Sequence, residues 1–191
     1  MRTFIAIEFP AKITQKIDNI ISFLKAQTPA KAIKWVAAEN LHLTLKFLGD
    51  FPEQDLESLT AIMNHELKPF SAFEITIEGM GMFPNNANPR VIWMGISHTD
   101  SLLMIHKQLD NALQNEGIKP DQRNFNAHLT IGRIRRRTDP KVIHEIGKTL
   151  SAYKVETLGQ VTVNRIILMK SELTPQGPIY TPLHLVPLNR V

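Results

Sequence analysis

The hydrophobic and polar positions of this 191-residue chain switch between two periods. Thr3–Phe9 alternates and is rich in Ile and Phe, the two-residue repeat of a strand with one face in a core. From Pro10 the period lengthens. Ile13, Ile17, Ile20, Ile21 and Leu24 fall on one helical face, and proline is well placed where a helix opens. Ile33–Val36 and Leu41–Leu48 return to strand patterning, and Gly49 ends the second. Glu53–Leu67 is again helical, through Leu56, Leu59, Ile62, Met63 and Leu67, with Pro69 just beyond its end. Phe73–Glu78 and Arg90–Ile96 read as an antiparallel pair joined by the Gly-, Asn- and Pro-rich segment Gly79–Pro89. A helix follows over Ser101–Asn115, capped by Thr99 or Asp100 and closed by Gly117. Phe125–Ile134 is strand-like, Pro140–Leu150 helical, and Val155–Val163, Arg165–Lys170 and Ile179–Leu185 are strands.

Four helices mixed with strands, without regular alternation, predict an α+β fold with largely antiparallel sheets. One pattern occurs twice: Asn40-Leu41-His42-Leu43-Thr44-Leu45 and Asn126-Ala127-His128-Leu129-Thr130-Ile131, with the histidines 128 − 42 = 86 residues apart. Two copies at so long a spacing read as half-domain repeats, not as a solenoid. The expected architecture is a single domain over residues 1–191, with two pseudo-symmetric lobes of sheet flanked by helices and a cleft between them.

Composition narrows the chemistry. Hydrophobic residues make up 43% and charged residues 21%, as in an ordinary globular protein. Apolar runs fall far below the roughly 18 residues of a membrane helix, and the expected location is the cytoplasm. The chain has no cysteine, which removes disulfides, thiolate metal sites and cysteine nucleophiles. A net charge of +4 and a pI near 9.4 lean mildly toward an anionic partner.

Side chains at i and i+2 of a strand share a face, so His42 groups with Thr44 and His128 with Thr130, while the leucines between them point to the core. Facing each other across a cleft, two imidazoles, a group whose unperturbed pKa is near 6.5, can supply both the base and the acid that opening a phosphodiester needs. The threonine hydroxyls can donate to the non-bridging oxygens. The same parity puts Lys46 with His42 as a candidate phosphate contact.

These residues carry a resemblance. His42-Leu43-Thr44-Leu45 and His128-Leu129-Thr130-Ile131 resemble the paired H-x-T-x motifs of the two-histidine (2H) phosphoesterases, in particular the RNA 2′,3′-cyclic phosphodiesterases once named 2′-5′ RNA ligases. The likeness extends to Arg2–Ile7, Leu41–Gly49, Phe83-Pro84, Pro89–Trp93, Ala127–Arg133 and Gly177–Tyr180. Many family members have proline where this chain has Ala127, a position that contributes no functional group. The resemblance implies a bilobal fold, no metal or cofactor, and hydrolysis of 2′,3′-cyclic RNA ends, such as those of tRNA fragments, to 2′-phosphomonoesters. It also implies that the site, run backward, makes a 2′-5′ bond. His42 and His128 would be the catalytic pair, without a fixed division into acid and base, and Thr44, Thr130 and Arg133 would hold the phosphate. Strict alternation places Arg133 on the face opposite His128, so that role requires a bulge or the end of the strand near Gly132.

Other residues are weighed on both readings. Phe83 and Tyr180 read equally as base-stacking or core-rim aromatics, whereas Phe47 and Trp93 are assigned to the core. The run Arg133-Ile134-Arg135-Arg136-Arg137 reads equally as a track for RNA phosphates or as a charged strand end. His65, His98, His106, His144 and His184 are expected at the surface or core rim. No Asp or Glu stands at metal-ligand spacing around His42 or His128. The expected protein is a monomer. Two alternatives stand beside this reading: a 2H enzyme acting on a small cyclic nucleotide, and a non-catalytic RNA-binding module.

Overall fold

The computed structural model describes residues 1–122, 124–175 and 177–190. Its strands are β1 (Arg2–Glu8), β2 (Ile33–Trp35), β3 (His42–Asp50), β4 (Phe73–Phe83), β5 (Val91–Ser97), β6 (His128–Ile134), β7 (Gly159–Val163), β8 (Arg165–Leu173) and β9 (Pro178–Pro187). The α-helices are α1 (Ala11–Gln27), α2 (Leu56–Leu67), α3 (Asp100–Gln114) and α4 (Pro140–Ser151). Short 3₁₀ turns cover Ala38–Asn40 and Glu53–Asp55, the second taking the first turn of the helix expected from Glu53. The fold is α+β, and the named strands pair antiparallel throughout the described residues.

The strand order is β7-β4-β5-β6-β3-β1-β8-β9, with β2 added beside β6. Read outward from the centre, β6-β5-β4-β7 mirrors β3-β1-β8-β9. The two halves join where Leu43 of β3 pairs with Leu129 of β6, the middle residues of the two His-Leu-Thr motifs. The repeat in the sequence is thus a repeat in the sheet, and its axis passes between the motifs. The sheet curls into a half-barrel, and β7 and β8, separated only by Asn164, belong to opposite halves.

Helices cover one face. α1 buries Ile13, Ile17, Ile21 and Leu24 there, and α3 buries Leu102, Ile105, Leu109 and Leu113, the stripes that the helical period marks out. These pack with Ile5, Ile7, Leu43, Leu45, Leu129 and Ile131 of the sheet in one large apolar cluster. Truncating such a side chain, as in Leu109→Ala, costs about 2–5 kcal/mol. The other face carries a smaller cluster of Phe4, Ala6, Ile167 and Met169, with Tyr180 packed on it. β1 is therefore buried on both sides.

Strand boundaries differ from those the pattern predicts in β3, which runs past Gly49 to Asp50, in β8, which runs to Leu173 instead of Lys170, and at three further places. β4 runs on through Gly79–Phe83, which reads as a loop in the sequence. Gly79, at φ +71°, carries a bulge, and Gly81 lies under the Trp93 indole, where a Cβ would meet the ring at 2.2 Å. The glycines here serve a close approach within a strand. At the other two boundaries, β6 begins at His128 instead of Phe125, and β7 at Gly159 instead of Val155.

Candidate active site

The motif residues lie on the face away from the helices. The register set by Leu43 and Leu129, carried one residue each way, puts Thr130 opposite His42 and His128 opposite Thr44. Directly opposed side chains have Cβ atoms about 5 Å apart, and diagonal ones about 7–8 Å. The two histidines are the diagonal pair, with the threonines on the other corners, and all four side chains are partly exposed. A tetrahedral phosphorus fits between imidazoles at that separation.

Both rings are held in the same way. His42 Nδ1 lies 2.7 Å from the Asn40 carbonyl oxygen, and His128 Nδ1 lies 2.6 Å from that of Asn126. A carbonyl only accepts, so each Nδ1 carries a proton and donates it, which leaves each Nε2 as the working nitrogen. In both motifs the asparagine is two residues before the histidine, so the repeat duplicates the orienting bond along with the ring.

Aromatic walls repeat as well. Tyr180 stands edge-on to His42, with centroids 5.0 Å apart, and Phe83 stands edge-on to His128 at 5.1 Å. Phe4 lies 4.8 Å from His42, and Trp93 lies 6.5 Å from His128. Burial pulls the His42 imidazole below its ordinary value of 6.5; the Asn40 hydrogen bond opposes this, the Arg133 guanidinium adds to it and Glu8 opposes it. The balance favours the neutral ring of His42. Burial also raises the Tyr180 phenol, against the charges of Arg133 and Arg2.

A bulge decides which residues join this face. β5 pairs Trp93 with Thr130 but Ile92 with Gly132, so β6 holds one extra residue, Ile131. β1 pairs Ala6 with Thr44 but Ile5 with Lys46, so β3 holds the equivalent extra residue, Leu45. An extra residue reverses the alternation beyond it. Arg133 consequently shares the face of His128 and Thr130, which meets the condition that strict alternation had set against it.

The same bulge removes Lys46. Its expected place beside His42 is not what the structure shows: Lys46 turns to the helix side, is 1% exposed, and bonds Asp110, Asp121 (3.2 Å) and the Lys119 carbonyl (3.0 Å). Phe47, assigned to the core from sequence, turns the other way. It is 64% exposed, and its ring centroid lies 6.0 Å from that of Phe4. Trp93, also assigned to the core, pairs with Thr130 and is only partly buried.

His106, Asp110 and Asp121 form a cluster with metal-ligand reach, but the Lys46 ammonium already sits against both carboxylates. Beside His42 lies a cavity of about 50 Å³ lined by Phe4, Glu8, Asn40, Met169 and Tyr180. A larger hollow of about 500 Å³ lies past Glu8 and Glu39, at the start of α1, and contains neither motif histidine.

Known proteins share this plan along its whole length. An RNA 2′,3′-cyclic phosphodiesterase of Methanocaldococcus jannaschii is 38% identical over 180 residues, 94% of this chain and 96% of that one. A protein of the same name from Archaeoglobus fulgidus is 34% identical over 185 residues, 97% of this chain and 99% of that one. The crystal structure of E. coli LigT complexed with 3′-AMP superposes with a TM-score of 0.76 at 25% identity, covering 98% of this chain and 97% of that one. A Thermus thermophilus structure reaches a TM-score of 0.80 at 24% identity, covering 100% of this chain and 99% of that one. The sequence pattern described as LigT-like phosphoesterase matches twice, over residues 7–93 and again over 96–180, the first match holding His42 and the second His128. The chain belongs to the LigT-like phosphoesterase family.

Proposed function

We propose that this protein hydrolyses RNA 2′,3′-cyclic phosphate ends to 2′-phosphomonoesters, with His42 and His128 as its acid–base pair and no metal. The observation that carries the reading is the matched pair of imidazoles, each tied through Nδ1 to the carbonyl two residues back and free at Nε2. A water oxygen attacks phosphorus and the P–O3′ bond breaks. One Nε2 takes the water proton while the other gives a proton to the departing O3′, so the site ends with the charge it began with. The Thr44 and Thr130 hydroxyls donate to the non-bridging oxygens, and the Arg133 guanidinium offsets the charge that gathers there. The relatives named RNA 2′,3′-cyclic phosphodiesterase support the substrate. The reverse reaction is 2′-5′ ligation.

Phe47, Phe83 and Tyr180 offer the faces on which the terminal base stacks. The whole chain acts as one two-lobed, monomeric unit on RNA fragments, including those of tRNA, in the cytoplasm. Among the described residues, no helix is long and apolar enough to cross a membrane.

The test is hydrolysis of a short RNA ending in a 2′,3′-cyclic phosphate, with EDTA present, resolving 2′- from 3′-phosphate products. Wild type should yield the 2′-phosphate, and His42→Ala and His128→Ala should each lose at least about 10²-fold in rate. Turnover that survives either substitution, or that EDTA abolishes, overturns the mechanism. Turnover confined to mononucleotides replaces RNA with a small cyclic nucleotide as substrate.

A further inference from the structure

The surface around the outer end of β6 is more strongly charged than the site needs. Arg133 pairs across the ladder with Lys34 of β2, so the two side chains share the face that holds the histidines. The Arg135 N–H continues the ladder to the Ala32 carbonyl at 2.9 Å. Arg135 therefore lies two residues beyond Arg133 on the same face. Arg136 and Arg137 form the turn that follows, and Arg90 enters β5 alongside, its carbonyl accepting from Ile134 N–H at 3.0 Å. All six cations are exposed, and among the described residues none has a carboxylate within 4.0 Å.

Toward β1 the charges are mixed: Glu8, opposite His42, is matched by Arg165 at 3.5 Å, and Glu39 lines the cavity beside His42. A polyanion leaving the phosphate position meets the run of unmatched cations along β6. Four ladder steps separate Thr130 from Arg135 once the extra residue is discounted, a run of roughly 13 Å. That length matches about two to four nucleotides, depending on how far the strand is stretched beyond the ~3.4 Å per nucleotide of a duplex.

We infer that Lys34 and Arg135 extend the site into a track for the RNA phosphates 5′ to the cyclic end, so that the enzyme selects oligonucleotides over mononucleotides. The inference rests on the reading of the site given above. Phosphate neutralisation along single strands weakens binding with salt by a log–log slope of about 0.7 for each contact. Two contacts thus make binding about sevenfold more sensitive to a change from 50 to 200 mM salt.

The experiment measures binding of labelled RNAs of one, two, four and eight nucleotides ending in a 2′-phosphate, at 50 and 200 mM salt. Wild type is compared with the Lys34→Gln/Arg135→Gln double variant, and turnover of the matching cyclic-ended RNAs is followed in parallel. Wild-type affinity should rise with length up to about four nucleotides and then level off. The double variant should lose most of that rise and about sevenfold of the salt sensitivity, while binding and turning over the mononucleotide as wild type does. Affinity independent of length in wild type, or a double variant with unchanged length and salt dependence, overturns the track. Because binding is read on a product end, absence of turnover on every substrate counts against the acid–base reading alone.

Discussion

Lys46→Met keeps the apolar stem of the side chain and removes its charge, so it separates two roles for this residue. In the structure the Lys46 ammonium bonds Asp110, Asp121 and the Lys119 carbonyl while being 1% exposed. Asp110 also accepts from the Asp121 N–H at 3.2 Å, and His106 joins Asp121 at 3.0 Å while stacking on Phe125. One buried cation thus ties β3 and α3 to the segment that leads into β6, and so ties the strand of His42 to that of His128. Removing one partner of a buried pair costs about 3–5 kcal/mol, because the other charge is left without compensation. Asp121 is 38% exposed and can turn to water, so the lower end applies. At about 2–4 °C per kcal/mol for a domain of this size, a loss near 3 kcal/mol lowers Tm by roughly 6–12 °C. Thermal unfolding followed by circular dichroism at pH 7 reads this directly, alongside kcat and KM on a cyclic-ended RNA. Adding Asp110→Leu to Lys46→Met should return part of the loss, because it removes the stranded charge. A Tm unchanged to within about 2 °C, together with a large rise in KM, would refute the structural role and put Lys46 back at the phosphate.

Three further outcomes follow from the same geometry. His42 should titrate below 6.5 in an NMR pH series of its ring proton; since the folded state favours the neutral ring, stability should fall as pH drops from about 6.5 through the folded value, and a midpoint above 6.5 would contradict the burial argument. Gly147→Ala, though alanine is the better helix former, should destabilise by about 1–3 kcal/mol, because its Cβ would stand 1.9 Å from the Asn86 carbonyl oxygen; a raised Tm in a melt would show that the 84–89 loop yields freely. Phe47→Ala should leave Tm almost unchanged, since the ring is exposed, yet weaken binding of the RNA end by about 1–3 kcal/mol if the base stacks there; equal KM values would remove Phe47 from the site.

How much of this was readable from the chain turns on strand parity. The four helices declare themselves because their apolar residues recur at the helical period, and the pairing of β4 with β5 follows from two strand patterns flanking a Gly- and Pro-rich segment. The histidines and threonines declare themselves because they precede any irregularity in their strands. The residues just after them do not, because Leu45 and Ile131 each add one residue that the partner strand does not match. In β3 the apolar pattern hides the bulge, because Phe47 is apolar and yet turns outward; in β6 it leaves a trace, since Arg133 is exposed and Ile134 buried where strict alternation would have the reverse.

The repeat holds the missing step, although parity alone placed Lys46 beside His42 and Phe47 in the core. The bulge at Ile131 turns Arg133 into the cleft, and two strands related by a repeat are expected to bulge together. Adding 86 to 45, 46 and 47 gives 131, 132 and 133, so a bulge that turns Arg133 into the cleft turns Phe47 into it as well and sends Lys46 to the core. On the function proposed above, one half of the site then offers an arginine to phosphate where the other offers a phenyl ring to a base, at equivalent places in the two motifs. On that reading, two-fold symmetry in the backbone with this asymmetry at one position would give a bound RNA end a single orientation. A fully symmetric pair of motifs would bind the cyclic phosphate equally well in two.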